Sequence, residues 1–204
     1  MKDIIIFDYD GVIADSFDVV LEIFNSICEK YGINKQEKHE LREMYKQNFF
    51  ESMKQKGMKE ENMNEFDRDY KKTAKIKEHK IILFDGIKEI INKLSEKYNL
   101  FIVTSNFKKI VKNDLKRFNI NVIKDVIGGD EEQSKTKKIK SIKEKYKNSK
   151  TYFITDTIGD IKESKKADVF TIAVSWGYHN KEMLKKENPD FIVNSPEELL
   201  KLFN

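Results

Sequence analysis

Two carboxylates one residue apart, Asp8 and Asp10, directly follow the apolar run Ile4–Phe7. Aspartate is a poor strand former, so the run predicts a buried parallel strand that ends at this point. Side chains two positions apart on an extended chain point to the same side, and these carboxylates therefore repel each other unless a cation or a shared proton relieves them. Open α/β sheets bind ligands at the carboxyl ends of their strands. We therefore predict a ligand crevice here, with Mg²⁺ as the simplest counter-charge.

A second acidic pair, Asp156 and Asp160, follows another apolar run, Tyr152–Thr155. A tight turn after a strand brings carboxylates at this spacing toward the crevice at Asp8. Carboxylate oxygens are hard ligands that suit Mg²⁺, which keeps several waters and takes few ligands from the protein. The same two residues also suit a turn and a helix N-cap, which is a purely structural role.

Three small polar residues, Thr104, Ser105 and Asn106, follow a third apolar run, Leu100–Val103. A hydroxyl and free backbone N–H groups at a helix N-terminus form a seat for phosphate, because the unpaired donors and the helix dipole both favour an anion. The alternative is that one of these side chains only caps the helix that follows. Taken alone, the segment favours capping.

Strands and helices alternate along most of the chain, which is the pattern of a parallel sheet built from βαβ units. The predicted strands are Ile4–Phe7, Leu100–Val103, Asp125–Ile127, Tyr152–Thr155, Val169–Val174 and Phe191–Val193. Apolar residues at helical spacing fill the intervals between them. The polar residues described above therefore lie where predicted strands end, in an α/β fold.

The alternation breaks between the first strand and Phe84. Residues 17–83 contain helical patterns, many charges and no convincing strand. A connection from a strand to a helix usually takes a handful of residues, so an interval of this length indicates an inserted helical domain. We predict a core domain of residues 1–16 and 84–204 and a helical domain of residues 17–83, whose aromatic and methionine side chains pack its own interior.

Residues 8–12, Asp-Tyr-Asp-Gly-Val, resemble the first motif of the haloacid dehalogenase-like phosphatases, D-x-D-G-[TV]. Thr104 matches their second motif, an apolar strand that ends in Ser or Thr. Residues 155–160 are similar to their fourth motif, [GS]-D-x3-D, with Thr155 where Gly or Ser is usual. Residues 175–178, Ser-Trp-Gly-Tyr, resemble a segment of the phosphoglycolate-phosphatase-like branch. The resemblance implies a Rossmann-like core with a helical cap inserted after the first motif.

The resemblance also implies roles for these residues. Asp8 is the nucleophile, which accepts the phosphoryl group as an aspartyl-phosphate, and Asp10 is the general acid and then the general base. Thr104 binds the transferring phosphoryl group, with Ser105 and Asn106 nearby.

By the same resemblance the cofactor is Mg²⁺. Asp8, Asp156 and the backbone carbonyl of Asp10 are its direct ligands, while Asp160 holds a metal-bound water or orients a lysine. Thr155 in place of glycine affects the geometry of the loop and not the set of ligands.

A phosphoryl transition state spreads negative charge over three oxygens, which a metal ion and a lysine or arginine must meet. The lysine-rich segment 134–140 supplies candidates, although most of its lysines belong on a solvated helix face. The family's third motif places a lysine at the entry of the helix before the fourth strand, and Lys135 matches that position best. The segment lacks the prolines of the common K-P-x-P form, and Lys138 stays an alternative.

Composition narrows the classes of partner. The 204 residues are 39% hydrophobic, enough for one core with a small insert. Lys and Arg number 39 against 35 Asp and Glu, but the two signs alternate and no aromatic-basic cluster appears, which argues against nucleic acid. No apolar stretch reaches the ~18 residues that a membrane span needs, and no signal-peptide core is visible. We expect a cytoplasmic protein without a membrane partner, and a single cysteine, Cys28, that is buried and inert.

These observations predict a magnesium-dependent phosphatase that acts on a small soluble phosphomonoester of the phosphoglycolate, sugar phosphate or nucleotide class. Dehalogenases of this superfamily lack the second aspartate of the first motif, so Asp10 argues against dehalogenation. A phosphosugar mutase keeps Asp10 and a helical cap, and stays an alternative. So does a non-catalytic binding or regulatory member, although the intact acid/base pair speaks against it. The sequence indicates neither the substrate nor the oligomeric state.

Overall fold

The structure is a computed structural model that describes residues 2–203 of the chain. Within that range six strands form one parallel sheet, and two short strands form a separate antiparallel ribbon. The strands are β1 (Ile4–Phe7), β2 (Ala14–Asp15), β3 (Ile82–Leu83), β4 (Asn99–Val103), β5 (Asp125–Ile127), β6 (Thr151–Thr155), β7 (Phe170–Val174) and β8 (Phe191–Val193).

Ten α-helices lie within the described residues, and they fall into two groups. Four of them lie in the helical insert, residues 17–83, and the other six flank the sheet. The helices are α1 (Phe17–Ile27), α2 (Lys38–Met44), α3 (Phe49–Gln55), α4 (Met63–Lys77), α5 (Ile87–Lys97), α6 (Lys108–Arg117), α7 (Lys135–Lys145), α8 (Ile158–Ala167), α9 (Lys181–Lys185) and α10 (Pro196–Leu202). Short 3₁₀ turns extend the insert at Cys28–Tyr31, Glu60–Asn62 and Glu78–Lys80.

The first strand is buried on both faces, which explains its uninterrupted apolar run. Ile5 and Phe7 belong to one apolar cluster, and Ile4 and Ile6 belong to another. Successive side chains of a strand point to opposite faces, so both faces of β1 are covered. Strand β1 pairs in parallel with β4 on one side and with β6 on the other.

The predicted α/β fold with a parallel sheet is confirmed. All six predicted strands are present in the sheet, and each end differs from the prediction by at most one residue. The spatial order of the strands is β5-β4-β1-β6-β7-β8. The chain moves outward from β1 in one direction through β4 and β5, and in the other through β6, β7 and β8. The carboxyl end of β1 therefore lies at the point where the order reverses, where such sheets form their crevice.

The helical insert has an apolar cluster of its own, to which Tyr178 of the core also belongs. The expectation that residues 17–83 hold no strand is wrong at one point. Ile82 and Leu83 form β3, which pairs with β2 as an antiparallel ribbon at the two ends of the insert. Two-residue strands are too short for an alternating pattern, so periodicity gives no signal for them.

The single cysteine and the lengths of the helices can be compared with the sequence-based expectations. Cys28 is a buried free thiol, as predicted. No helix within residues 2–203 combines the length and the apolar character that a bilayer crossing requires.

Candidate active site

Three buried carboxylates, Asp8, Asp156 and Asp160, meet at the carboxyl edge of the sheet. One oxygen from each lies within 4.8 Å of the others. Asp8 directly follows β1, Asp156 directly follows β6, and Asp160 lies in the first turn of α8. Because β1 and β6 are adjacent parallel strands, their ends deliver the first two carboxylates side by side. Such a cluster needs positive charge nearby to stay ionised.

Lys135 supplies part of that charge. Its ammonium donates hydrogen bonds of 2.7 Å to Asp8 Oδ2 and of 2.7 Å to Asp160 Oδ2. The residue is the first of α7, directly after the N-cap Ser134, and its side chain is buried. Burial alone lowers the pKa of Lys135, but the two carboxylates outweigh that effect and raise the pKa, so the lysine stays protonated.

The alternative lysine, Lys138, lies one turn farther along α7 and faces the backbone instead of the carboxylates. It is also buried, and its ammonium donates to the carbonyl oxygen of Thr104 at 2.6 Å. Burial, together with the neighbouring Lys135, lowers the pKa of Lys138 to about 8. The structure therefore brings Lys135 to Asp8 and uses Lys138 to hold the end of β4.

Asp10 contacts the segment after β4. The Asn106 side-chain amide donates to Asp10 Oδ2 at 3.0 Å, and the Thr104 hydroxyl accepts the backbone N–H of Asn106 at 3.0 Å. Thr104 thus stabilises the turn before α6, and its segment lies beside Asp10. The capping interpretation is wrong, because the N-cap of α6 is Phe107 and not one of the three small polar residues. Ser105 lines the same cavity as Asp8 and Asp10. Burial raises the pKa of the Asp10 carboxyl, which favours a group that holds a proton.

The residues at this edge fit a divalent cation with oxygen ligands. Within residues 2–203, Asp10 Oδ1 and Asp156 Oδ1 are buried without a hydrogen-bond partner. Buried polar atoms are nearly always paired, so oxygens of this kind fit a metal or its waters. Burial raises the pKa of Asp156 to about 7 and also raises the pKa of Asp8. Burial alone would raise the pKa of Asp160 as well, but Lys135 lowers it.

Two glycines allow the backbone to approach Asp156 closely. Gly11 has a φ of +79°, and a Cβ on it would lie 1.9 Å from Asp156 Oδ2. A Cβ on Gly177 would lie 2.3 Å from the same oxygen. Any side chain at either position would displace this carboxylate. The oxygen in turn accepts the backbone N–H of Tyr178 at 2.6 Å, which fixes its direction.

His179 is a residue of this region that sequence reasoning missed. It is fully buried, its Nδ1 accepts the N–H of Ile158 at 2.9 Å, and its Nε2 therefore donates to the carbonyl of Arg42 at 2.9 Å. Burial lowers the pKa of His179 and keeps the ring neutral, as both hydrogen bonds require. The ring thus ties the end of α2, in the insert, to the first residue of α8. Nothing in the local sequence signals this contact.

Tyr9 and Asp114 form a second buried connection that the sequence does not signal. The Tyr9 hydroxyl donates to Asp114 Oδ2 at 2.9 Å, and Arg117 donates to Asp114 Oδ1 at 2.9 Å. Arg117 also donates to the carbonyl of Ile81, directly before β3. The loop that carries Asp8 and Asp10 is therefore linked through α6 to the end of the insert.

A cavity with an empty volume of about 660 Å³, including its open mouth, lies beside Asp8 and Asp10. Asp8, Asp10, Lys135 and the segment after β4 line one side, and the helical insert lines the other. The expectation that the aromatic and methionine side chains of the insert pack only its interior is therefore incomplete. Phe49, Phe50 and Met53 belong to or pack on the apolar cluster of the insert, and they also face the cavity.

Residues 5–174 match the family model described as haloacid dehalogenase-like hydrolase. The chain belongs to this family. The match begins inside β1 and ends with β7, so it spans every segment that contributes to the acidic cluster. Membership in this hydrolase family agrees with the resemblance that the motifs indicate.

Two relatives and one solved structure are similar to this haloacid dehalogenase-like protein along nearly their whole length. The chain is 24% identical to the pyrophosphatase PpaX of Halalkalibacterium halodurans, over 96% of this chain and 94% of that protein. It is 20% identical to the phosphoglycolate phosphatase of Synechococcus elongatus, with the same coverage. A haloacid dehalogenase-like family protein from Streptococcus pneumoniae has a similar fold, with a TM-score of 0.79, 22% identity and coverage of 100% and 99%.

Proposed function

We propose that this protein is a magnesium-dependent phosphatase that hydrolyses small soluble phosphomonoesters through an aspartyl-phosphate on Asp8. Residues 17–83 act as the cap over the site. The observation that carries the proposal is the contact of Lys135 with both Asp8 and Asp160 at the floor of a cavity that also exposes Asp10. The names of the two relatives, a phosphoglycolate phosphatase and a pyrophosphatase, support a phosphorylated small molecule as the substrate.

In the first step the Asp8 carboxylate attacks phosphorus. An oxygen–phosphorus bond to Asp8 forms as the bond from phosphorus to the alcohol oxygen breaks, and Asp10 gives its proton to that oxygen. The raised pKa of Asp10 suits this role as an acid. The backbone N–H of Tyr9 donates to Asp8 Oδ1 at 2.7 Å and Lys135 donates to Oδ2, so the nucleophile is held in one orientation.

In the second step water attacks the aspartyl-phosphate. Asp10, now ionised, takes a proton from that water, the new bond from oxygen to phosphorus forms, and the bond to Asp8 breaks. Inorganic phosphate leaves and both aspartates return to their starting states. The Asn106 amide, which donates to Asp10 Oδ2, holds the carboxylate in position for both proton transfers.

Thr104, Ser105 and the backbone N–H groups of their turn are proposed to bind the phosphoryl oxygens. The direct metal ligands are proposed to be Asp8, Asp156 and the backbone carbonyl of Asp10. Asp160, which accepts a hydrogen bond from Lys135, is proposed to orient that lysine or to hold a metal-bound water. Mg²⁺ bound there supplies positive charge against the phosphoryl oxygens. Lys135 supplies the same kind of charge from the protein itself, and it also reduces the repulsion between Asp8 and Asp160.

The test is phosphate release from a generic aryl phosphate, such as p-nitrophenyl phosphate, by the full-length chain. We expect phosphate release to stop on thorough chelation and to return when Mg²⁺ is added. Asp8→Asn should abolish release while changing the Tm by no more than a few degrees. The matched control is Asp15→Asn, since Asp15 is an exposed carboxylate on the same segment. Its activity should stay within about twofold of wild type. Release that persists after chelation, or in Asp8→Asn, would overturn the proposal.

A further inference from the structure

The side of the cavity that faces the carboxylates is a wall of aromatic rings. Six of them come from the insert and from the residue just before α6: Tyr45, Phe49, Phe50, Phe66, Tyr70 and Phe107. The rings contact one another within two groups, Tyr45–Phe49–Phe50 and Phe66–Tyr70–Phe107. Those of Tyr45 and Phe49 are stacked with centroids 4.9 Å apart, and those of Tyr70 and Phe107 lie 6.0 Å apart. Aromatic contacts of this kind hold a wall in place. Phe50, Phe66 and Phe107 are buried, and the partly exposed rings of Tyr45, Phe49 and Tyr70 offer most of the wall's surface to a ligand.

Acidic side chains outnumber basic ones in the lining of the cavity, by three to one among the described residues: Asp8, Asp10 and Asp67 against Lys135. Among the described residues that line it, Lys135 is the one cation, and its ammonium already donates to two carboxylates. The insert contributes one charged side chain to the lining of the cavity, that of Asp67. In the sequence Asp67 lies between Phe66 and Tyr70, whose rings belong to the wall. Burial raises the pKa of Asp67, and the nearby Lys71 partly opposes that effect. The Lys71 ammonium lies 4.0 Å from the centroid of the Phe107 ring.

This distribution of charge bears on the alcohol part of the substrate. The phosphoryl group occupies the carboxylate side, so the remainder of the ester extends toward the aromatic wall. A carboxylate or a second phosphate there loses its hydration, meets no lysine or arginine among the described residues of the insert that line the cavity, and is repelled by Asp67. An uncharged ring instead gains apolar contact with the wall and stacking with its rings.

We propose that the cavity selects phosphomonoesters whose alcohol part is uncharged and aromatic, and that Asp67 rejects esters with a second negative charge. This inference rests on the proposed phosphatase function and makes its substrate class narrower. It sets the specificity apart from that of the relatives, whose names specify phosphoglycolate and pyrophosphate.

Three esters that differ in one group each test the inference on the wild-type chain. Benzyl phosphate carries a ring, ethyl phosphate lacks it, and phosphoglycolate replaces the methyl group of ethyl phosphate with a carboxylate. We expect kcat/KM to fall by tenfold or more from benzyl to ethyl phosphate, and by tenfold or more again to phosphoglycolate. Phe50→Leu should reduce the first ratio. Asp67→Asn should reduce the second ratio by threefold or more.

The matched control is Asp69→Asn. Asp69 lies two residues from Asp67 on α4 but outside the cavity, where it accepts hydrogen bonds from Lys30 and Tyr31. Its substitution should leave both ratios unchanged. If Asp67→Asn and Asp69→Asn reduced the second ratio equally, the effect would come from the overall negative charge of α4. That result would overturn the role given to Asp67.

A binding measurement separates this inference from the phosphatase proposal. The phosphonates that correspond to the three esters are benzylphosphonate, ethylphosphonate and phosphonoacetate, and none of them can be hydrolysed. Calorimetry in Mg²⁺ should give the same order of affinity, with benzylphosphonate tightest. Absence of phosphate release with this order of Kd intact would refute the catalytic proposal alone. Tightest binding of phosphonoacetate to the wild type, or an unchanged ratio of Kd between ethylphosphonate and phosphonoacetate in Asp67→Asn, would refute the selection of uncharged aromatic esters.

Discussion

Replacing Lys135 with methionine removes the ammonium and keeps most of the volume of the side chain. The ammonium lies 2.7 Å from one oxygen of Asp8 and 2.7 Å from one oxygen of Asp160, in a buried setting. In the variant those carboxylates face each other and Asp156 with no positive charge from the protein between them. We expect this change to reduce activity far more than the loss of any other lysine of α7.

The expected size follows from the number of interactions lost. Removing one group that stabilises transition-state charge lowers kcat by about 10² to 10³, or about 3 to 4 kcal/mol. Breaking a buried ion pair costs about 3 to 5 kcal/mol of stability. Burial already raises the pKa of both Asp8 and Asp156, so these groups can take up protons in the variant, which places the loss of stability near the lower figure.

The loss of stability also has a predicted pH dependence. In the wild type Lys135 keeps the pKa of Asp160 below that of the unfolded chain, so this group stabilises the fold above the unfolded pKa, roughly 3.9, and that contribution disappears as the pH falls. Without Lys135, burial raises the pKa of Asp160 above the unfolded value. The variant then loses stability as the pH rises. The difference in free energy of unfolding between wild type and variant should therefore be larger at pH 7.5 than at pH 5.

The assay combines kcat with Mg²⁺ present and urea unfolding at pH 5 and pH 7.5 with Mg²⁺ absent. Lys138→Met is the matched variant, because Lys138 is buried on the same helix but donates to the carbonyl of Thr104. It should lose about 1 to 3 kcal/mol of stability, since a buried carbonyl loses its donor, and less than tenfold in kcat. Lys137 is exposed, and Lys137→Ala should leave kcat within about twofold and stability within about 0.5 kcal/mol. A larger loss of kcat in Lys138→Met than in Lys135→Met would refute the reasoning.

Two further experiments test the proposed metal site around Asp156 and the type of reaction. Gly177→Ala should abolish high-affinity Mg²⁺ binding, measured by calorimetry, because the new Cβ would lie 2.3 Å from Asp156 Oδ2. The matched control is Gly32→Ala, where nothing lies within 4 Å of the added Cβ. This control should bind Mg²⁺ normally, although the positive φ at Gly32 makes the substitution destabilising. Incubation with a hexose monophosphate or bisphosphate should release inorganic phosphate as fast as the sugar phosphate is lost, whereas accumulation of an isomeric sugar phosphate with little free phosphate would support a mutase.

The sheet was predictable because each of its strands carries the same signal. A parallel strand covered on both faces requires a continuous apolar run, as in β1, and the polar residues begin where the strand leaves the core. The ends of β1, β4 and β6 are neighbours in the sheet. Convergence of Asp8, Thr104 and Asp156 therefore follows from topology once the strands are recognised, without knowledge of any side-chain contact.

The two buried lysines of α7 have roles that the sequence pattern alone does not distinguish. Lys135 and Lys138 are three residues apart, so they share a helix face, and both are buried. What distinguishes them is the strand that each side chain reaches. Lys135 donates to Asp8, directly after β1, and Lys138 donates to the carbonyl of Thr104, directly after β4. Sequence spacing specifies a shared face, but the strand that each lysine reaches depends on how the helix docks on the sheet.

The aromatic wall was less predictable than the carboxylates that it faces. The insert has an amphipathic pattern, and the pattern indicates which residues are buried but not which of them remain at the edge of a cavity. Phe50 and Asp67 lie on different helices, and they meet one cavity only through the packing of α3 and α4 over the sheet. No spacing along the chain encodes that relation.

Contacts between the insert and the core connect the aromatic wall to the residues around Asp160. The N–H of Gly159, one residue from Asp160, donates to the carbonyl of Tyr45 at 3.0 Å, and Tyr45 is itself part of the wall. His179 and the Asp114 network join the insert to the core at two further points. Because the wall is tied to the first turn of α8, which carries Asp160, a ligand that displaces the wall also disturbs that turn. Substitutions in the wall should for this reason change kcat together with KM, which a detached lid over a rigid site would not do.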